Sequence, residues 1–323
     1  MQWGVYVHIP FCKRKCNYCD FASYGGREEA REAYIDALGV ETLVRGQEMV
    51  LKHGRPTTLY IGGGTPTTLE PAQLERLFAM LEKYFPMENV QEFTIEAGRP
   101  DSITMDKLRV IRAHDVTRIS VNPQTMKEET LRLIGRMHTV DEVRQAYAMC
   151  REAGFDNINM DMILGLPEET LEDVRDTLRQ ITDLSPDSLT VHSLALKRGS
   201  RMQKYIEEKG FSSIYNTDGC MELAAEAAAG MGMEPYYLYR QKNISGNLEN
   251  VGYARPGKAG IYNILIMEEK QSILALGAGS ISKAVFDHGR IERSDNCKDV
   301  ATYIENVEEM IGRKARLGIG DSQ

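Results

Sequence analysis

Six short runs of strand-forming residues, 5–8, 57–61, 92–96, 118–121, 157–163 and 188–194, alternate with helical segments in the first part of the chain. The intervening stretches REAYIDALGVETL, PAQLERLFAML, KEETLRLIGR, DEVRQAYAMCREAG and TLEDVRDTLRQIT repeat apolar residues at helical spacing, and Gly or Pro often marks their ends. Adjacent parallel strands need a crossover, and a helical one packs back onto the sheet. The alternation therefore predicts an α/β fold, a partial (β/α)6 barrel. At 323 residues the chain suffices for one large barrel or two ordinary domains. After residue 200 the pattern changes: a helix near 219–231, then PYYLYRQKN, then IYNILIMEEKQSILALGAGSIS. These read as a small antiparallel unit with a hairpin around residues 268–270, closed by one helix, DVATYIENVEEMIGRK. We expect a barrel core over 1–200 and a C-terminal extension of mixed strands and helices over 201–323 that carries substrate-side elements.

The formal net charge of -8 argues against a nucleic-acid surface. No apolar run is long enough to span a membrane, and MQWGVYVHIPF lacks the basic and long apolar regions of a signal peptide. Of six cysteines, Cys150, Cys220 and Cys297 are scattered, while Cys12, Cys16 and Cys19 form C-x3-C-x2-C. That distribution predicts a reducing, cytoplasmic setting and a metal site. The cluster falls in the loop after the first strand, at the face where barrels build their sites. A zinc ion would need a fourth ligand, which His8 could supply from within the strand pattern. A disulfide is disfavoured by the compartment. An iron–sulfur cluster normally takes four thiolates, and three leave one iron open to a chelating amine and carboxylate.

Gly62, Gly63, Gly64 and Thr65 follow the second strand, where missing Cβ atoms permit a close ligand; a tight turn or a phosphate loop would use the same residues. Glu96, Gln124, Arg136 and Asp161 sit at strand ends or just beyond helices. A carboxylate suits an ammonium or hydroxyls, and a guanidinium suits a carboxylate, although solvated charges and structural ion pairs would look the same. Asp161 stands apart, because a carboxylate inside the apolar run INMDMIL is costly without a partner.

The cysteine spacing, with Tyr18 and Phe21 beside it, resembles the hallmark of the radical S-adenosylmethionine (SAM) superfamily. More narrowly, VYVHIPFCKRKCNYCDF, LYIGGGTPTTL, TIEAGRPD, INMDMILGLPEET and LALGAGSIS look like the blocks of the coproporphyrinogen dehydrogenase family, with its HemN, HemW and HemZ branches. YYLYRQKNISGNLENVGYARPG is most similar to the HemZ branch.

The resemblance implies that Cys12, Cys16 and Cys19 hold a [4Fe–4S] cluster whose fourth iron binds SAM. An electron from the cluster then cleaves SAM to methionine and a 5′-deoxyadenosyl radical, which abstracts a substrate hydrogen. It also places SAM contacts at Tyr6, Gly62, Gly63, Gly64, Thr65, Glu96, Gln124, Arg136, Asp161, Ala195 and Ile281. His8 either braces the cluster loop or is a satisfied histidine of the strand. No side chain is assigned as catalytic, since cluster and SAM carry the chemistry.

The implied activity is that of an oxidoreductase of haem biosynthesis, converting coproporphyrinogen III to protoporphyrinogen IX without oxygen. Reduced flavodoxin or ferredoxin is the implied electron donor. Two other activities share the scaffold: a haem carrier of the HemW type, and a radical SAM enzyme for another tetrapyrrole such as haem. A tetracarboxylate needs cations, and Arg240, Lys242, Arg255 and Lys258 are candidates, with Tyr236, Tyr237 and Tyr239 to flank a ring; a solvated loop beside a Tyr-rich strand would look alike. Two departures stand out. The HemN branch has a further cysteine where this chain has Phe21, and the H-N-x-x-Y-W segment of HemW is replaced by GNLENVGYARPG.

Overall fold

The computed structural model describes residues 2–19, 21–196, 200–210, 217–239, 249–286 and 289–317. Strands β1 (Trp3–Ile9), β2 (Thr58–Gly63), β3 (Glu92–Glu96), β4 (Arg118–Ser120), β5 (Ile158–Leu164) and β6 (Ser188–Ser193) pair in parallel in that order. These are the six expected strands, within two residues at each end. The later strands are β7 (Glu234–Tyr239), β8 (Asn250–Ala254), β9 (Ser272–Leu276), β10 (Ile281–Val285) and β11 (Ile291–Asp295). Among the described residues one sheet of 11 strands runs β11-β10-β9-β1-β2-β3-β4-β5-β6-β8-β7. β9 lies parallel to β1, whereas β10 and β11 are antiparallel additions beyond it and β8 runs antiparallel to β6. The chain after residue 200 thus extends both edges of the first sheet, which does not break there.

Helices α1 (Arg31–Glu41), α2 (Gln47–His53), α3 (Pro71–Tyr84), α4 (Met105–Ala113), α5 (Glu128–Leu133), α6 (Val140–Glu152) and α7 (Leu171–Leu184) provide the crossovers. Their starts are encoded locally. Glu70 with Gln73, Thr139 with Glu142, and Thr170 with Asp173 form capping boxes for α3, α6 and α7. In α7 the buried residues Val174, Leu178 and Ile181 make one apolar stripe. α8 (Arg201–Lys209) and α9 (Asp218–Gly230) follow β6.

The strands alternate in chemistry. Val5, Val7, Ile9, Leu59, Ile61, Phe93, Ile95, Ile119, Leu189 and Val191 belong to the main buried core. The intervening positions carry Tyr6, His8, Tyr60, Glu92, Glu96, Arg118, Asn159, Asp161 and His192, on the concave face. Arg118 Nη2 of β4 donates to Ser188 Oγ of β6, two strands away across that face, at 3.1 Å. Parallel sheets are usually apolar on both faces; here the inner face is a polar trough.

The expected hairpin around 268–270 is absent. Residues Ile261–Met267 form a helix, α10, leading into β9. A short apolar run cannot be assigned to helix or strand by periodicity, and here the tertiary setting decides. The Glu92 carboxylate accepts from the backbone N–H groups of Ile261 and Tyr262, capping the helix at the amino-terminal end of the trough. Tyr262 then stacks on Tyr60, with ring centroids 4.5 Å apart. The single closing helix is also two, α11 (Val300–Glu305) and α12 (Val307–Ala315), parted at Asn306.

α12 is fastened by a wholly buried ion pair. Lys314 Nζ donates to Glu41 on α1, and Glu41 also accepts from Tyr303 Oη at 2.7 Å, Gly277 N at 2.8 Å and Asn296 Nδ2 at 2.9 Å. Removing one partner leaves a buried charge, so Lys314→Met should lower urea-unfolding stability by about 3–5 kcal/mol. The double variant Glu41→Gln/Lys314→Met should regain part of that loss; equal stability of Lys314→Met and the parent protein would contradict the assignment.

Candidate functional site

The cysteine loop is built by hydrogen bonds from the strands beneath it. Phe11–Cys12 pairs in parallel with Tyr24–Gly25. His8 Nε2 donates to the Ala22 carbonyl at 2.9 Å, and Tyr6 Oη donates to His8 Nδ1 at 3.1 Å. Burial lowers the His8 pKa and favours this neutral tautomer. Asn17 binds the end of α5 through N to Ile134 O at 2.9 Å and through Nδ2 to Leu133 O at 2.8 Å.

Cys12, Cys16 and Cys19 are free thiols, so they form no disulfide. Among the described residues no three His, Cys, Asp or Glu side chains converge on a single ion position. A cubane cluster takes each thiolate on a different iron. Burial raises the pKa of Cys12, offset by the Thr65 and Ser23 hydroxyls, and likewise of Cys19, offset by the Phe21 backbone. Such thiols become thiolates when a metal centre supplies positive charge. Arg99 Nη1 donates to Cys16 Sγ at 3.4 Å.

The glycines serve first to seat this loop. A Cβ on Gly64 would lie 2.6 Å from the Phe11 carbonyl oxygen and 3.0 Å from Cys12 Sγ. Gly63, at φ +113°, would place one 2.8 Å from the His8 ring, and Gly62 one 3.1 Å from the Glu96 carboxyl. Gly64 N and Thr65 N donate to the carbonyls of Ile9 and Phe11, each at 2.8 Å. The Cβ side of Gly63 and Gly64 is thus taken up by His8 and the start of the cysteine loop.

Around the same end of the trough stand the other residues singled out in the sequence. Glu96 ends β3 and accepts from Tyr60 Oη at 2.7 Å and Gly63 N at 3.3 Å. Burial raises its pKa to about 7, and the nearby Asp161 charge adds to the rise. Gln124, at φ +69°, follows β4. Arg136 is buried and donates to the carbonyls of Gly98, at 3.2 Å, and Asn122. Asp161, inside β5, accepts from Asn159 Nδ2 at 2.6 Å and lies 3.7 Å from His192 Nε2. Burial would raise Asp161, but His192 and Asn159 outweigh it and hold the carboxyl below its usual pKa. Ala195 follows β6, and Ile281 opens β10 where the neighbouring β9 finishes. Among the described residues, buried polar atoms here without a protein partner include Ser120 Oγ, Asn122 Oδ1, Gln124 Oε1 and Arg136 Nε. Unmet buried groups of this kind cost about 1–3 kcal/mol each, so a ligand rich in ammonium, carboxylate and hydroxyl groups fits this end.

The basic candidates fare differently. Arg255 and Lys258 are corrected: they follow β8, which is antiparallel to β6, and so lie at the opposite end of the strands from the cysteines. Arg255 is spent on Met231 O, Ser185 Oγ and Asp187, and Lys258 pairs with Asp156 at 3.3 Å. Arg240 and Lys242 lie outside the described residues. On β7, Tyr237 and Tyr239 stack at 6.2 Å, and Tyr239 Oη reaches His192 Nδ1 at 3.4 Å. Sequence reasoning passed over Arg99, Arg118 and His192. The period-two runs Glu-Phe-Thr-Ile-Glu and Ser-Leu-Thr-Val-His-Ser were the available signal for a polar inner face.

Gly64→Ala forces the cysteine loop off its seat, at about 1–3 kcal/mol of overpacking. Anaerobically reconstituted Gly64→Ala should retain its far-ultraviolet circular dichroism but lose most of its iron and acid-labile sulfide; full iron content would contradict the packing argument.

Residues 6–181 match the family model described as the radical SAM superfamily. The chain is 42% identical over 317 residues to the oxygen-independent coproporphyrinogen-III oxidase-like protein HemZ of Bacillus subtilis, covering 97% of this chain and 63% of that relative. It is 35% identical over 311 residues to the heme chaperone HemW of the same organism, covering 95% of this chain and 76% of the relative. Escherichia coli coproporphyrinogen III oxidase, HemN, a radical SAM enzyme, matches in structure with a TM-score of 0.74 and 26% identity, over 96% of this chain and 70% of that one. The cofactors of this superfamily are a [4Fe–4S] cluster and SAM, to which the three thiols and the unpartnered polar atoms are suited. The chain belongs to the radical SAM superfamily, in the family that unites HemN, HemZ and HemW.

Proposed function

We propose that the chain is a radical SAM oxidoreductase that converts coproporphyrinogen III to protoporphyrinogen IX without oxygen, in haem biosynthesis. The observation that carries the reading is the likeness to HemN over 96% of the chain, C-terminal strands included. The chain spans 63% of the HemZ relative, and the activity of a whole relative reaches this chain only as part of this proposal.

When bound, cluster and SAM supply a 5′-deoxyadenosyl radical able to take a substrate hydrogen atom. The residues of the chain bind, orient and shield. Cys12, Cys16 and Cys19 hold the cluster. Glu96 receives the SAM ammonium, Arg136 its carboxylate, and Asp161, already ionised, the ribose hydroxyls. Gln124 offers an unpaired buried oxygen. Tyr6, Gly62, Gly63, Gly64, Thr65, Ala195 and Ile281 shape the walls. α10 closes the trough's other end against water. Each of two propionates would give a hydrogen atom to a 5′-deoxyadenosyl radical and release carbon dioxide as one electron passes to an oxidised electron carrier, leaving vinyl. A reduced flavodoxin or ferredoxin is the proposed electron donor.

A haem-carrying role is the second reading, favoured by the 35% identity to HemW. Anaerobic assay with coproporphyrinogen III, SAM and a reductant, followed by mass spectrometry, separates the two. Loss of two carbon dioxide molecules per substrate is the expected result. Stoichiometric haem binding with intact SAM would support the carrier, and new haem-derived masses would point to another tetrapyrrole reaction.

The Glu96 assignment gives a pH dependence. With a pKa raised to about 7, the carboxyl is protonated below that pH and charged above it. A cationic ligand prefers the charged form, so SAM affinity should fall by up to about tenfold per pH unit below about 7. Calorimetry on the parent protein and on Glu96→Gln isolates this dependence, because SAM's own ionisation is common to both. Parallel profiles would remove Glu96 from the contact.

A further inference from the structure

We propose that Arg99 sets the redox potential of the cluster: its guanidinium, donating to Cys16 Sγ, stabilises the reduced form and raises the midpoint. Arg99 lies in the loop after β3. Nη1 donates both to Cys16 Sγ at 3.4 Å and to the Arg14 carbonyl at 2.9 Å, while Nε faces Asp101 Oδ1 at 3.3 Å. The side chain is 4% exposed, so water hardly screens it. Its backbone is fixed as well, since Arg99 O accepts from Ser102 N at 2.9 Å and Ser102 Oγ at 2.7 Å. Ser102 Oγ in turn meets Thr67 Oγ1 of the glycine segment at 2.6 Å.

The three thiols are therefore unequal. Cys12 meets neutral hydroxyls, Thr65 at 3.6 Å and Ser23, whereas Cys16 has a cationic donor, with the Arg136 charge also close. Reduction adds negative charge to the cluster and its thiolate sulfurs. A fixed cation at hydrogen-bond distance favours that state more than the oxidised one, and hydrogen bonds to the sulfurs are a known lever on cluster potential. Burial acts the other way, because the reduced cluster is the more highly charged. Arg99 offsets that penalty where an electron must be accepted before SAM can be cleaved. The proposal rests on the radical SAM family and is independent of the substrate.

The test is an electron-paramagnetic-resonance redox titration of anaerobically reconstituted protein, without substrate. Arg99→Met should cut the reduced-to-oxidised ratio at fixed ambient potential by about tenfold, a downward shift of about 59 mV for a one-electron couple. Arg99→Lys should fall between Arg99→Met and the parent. Asp101→Asn, which strips the counter-charge from Arg99, should shift the midpoint upward. An unchanged midpoint in Arg99→Met with full iron and sulfide content overturns the proposal. If Arg99→Met fails to retain a cluster, Asp101→Asn decides, and an unchanged or lowered midpoint there overturns it equally.

Discussion

A parallel sheet with one polar face must find partners for that face, and this requirement organises the molecule. The outer face buries valine, isoleucine, leucine and phenylalanine beneath the crossover helices. On the inner face the polar residues mostly satisfy each other toward the amino-terminal end, through Glu92 with α10, Arg118 with Ser188, and Asn159 with Ser188 and Thr190. Toward the carboxyl-terminal end Ser120, Asn122, Gln124 and Arg136 retain buried atoms without partners. Unpartnered atoms also occur elsewhere, among them Arg118 Nε, Asn157 Oδ1 and Tyr236 Oη. It is their coincidence with the cysteine loop that marks the cofactor end of the trough.

The cysteine loop depends on that same end. It rests on Gly63 and Gly64, whose missing Cβ atoms leave room for His8, the Phe11 carbonyl and Cys12 Sγ. Thiol-bearing and backed by two guanidinium groups, it favours a centre that brings positive charge and accepts electrons. Fold and electrostatics thus converge on one site: the trough supplies polar groups for SAM, and the loop supplies thiolates for iron.

The parallel strands were legible because each combines β-branched or aromatic residues with a Gly or Pro boundary, as in TLYIGGGTP. The capped helices were legible for similar reasons. α10 was misread because IYNILIM is apolar and β-branched; its helical state depends on Glu92, 169 positions away. Asn306 splits the last helix without a Gly or Pro to announce it. Arg255 and Lys258 looked like anion ligands in a linear string, but the antiparallel direction of β8 carries them to the far end. Arg99 was invisible as a cluster neighbour, since its contact with Cys16 spans 83 positions. The cysteines were legible because their chemistry is local: three soft ligands within eight residues. Residue types and short-range order were readable, whereas charge pairings made across the assembled sheet were not.

The central claim is that three thiolates leave one iron of the cluster free to take SAM. Mössbauer spectroscopy of protein reconstituted with isotopically enriched iron, before and after adding SAM, tests it most directly. The account predicts that a single iron site changes its isomer shift on SAM addition while the others stay fixed. A cluster whose spectrum is insensitive to SAM, or a preparation that binds zinc in place of iron, would contradict it.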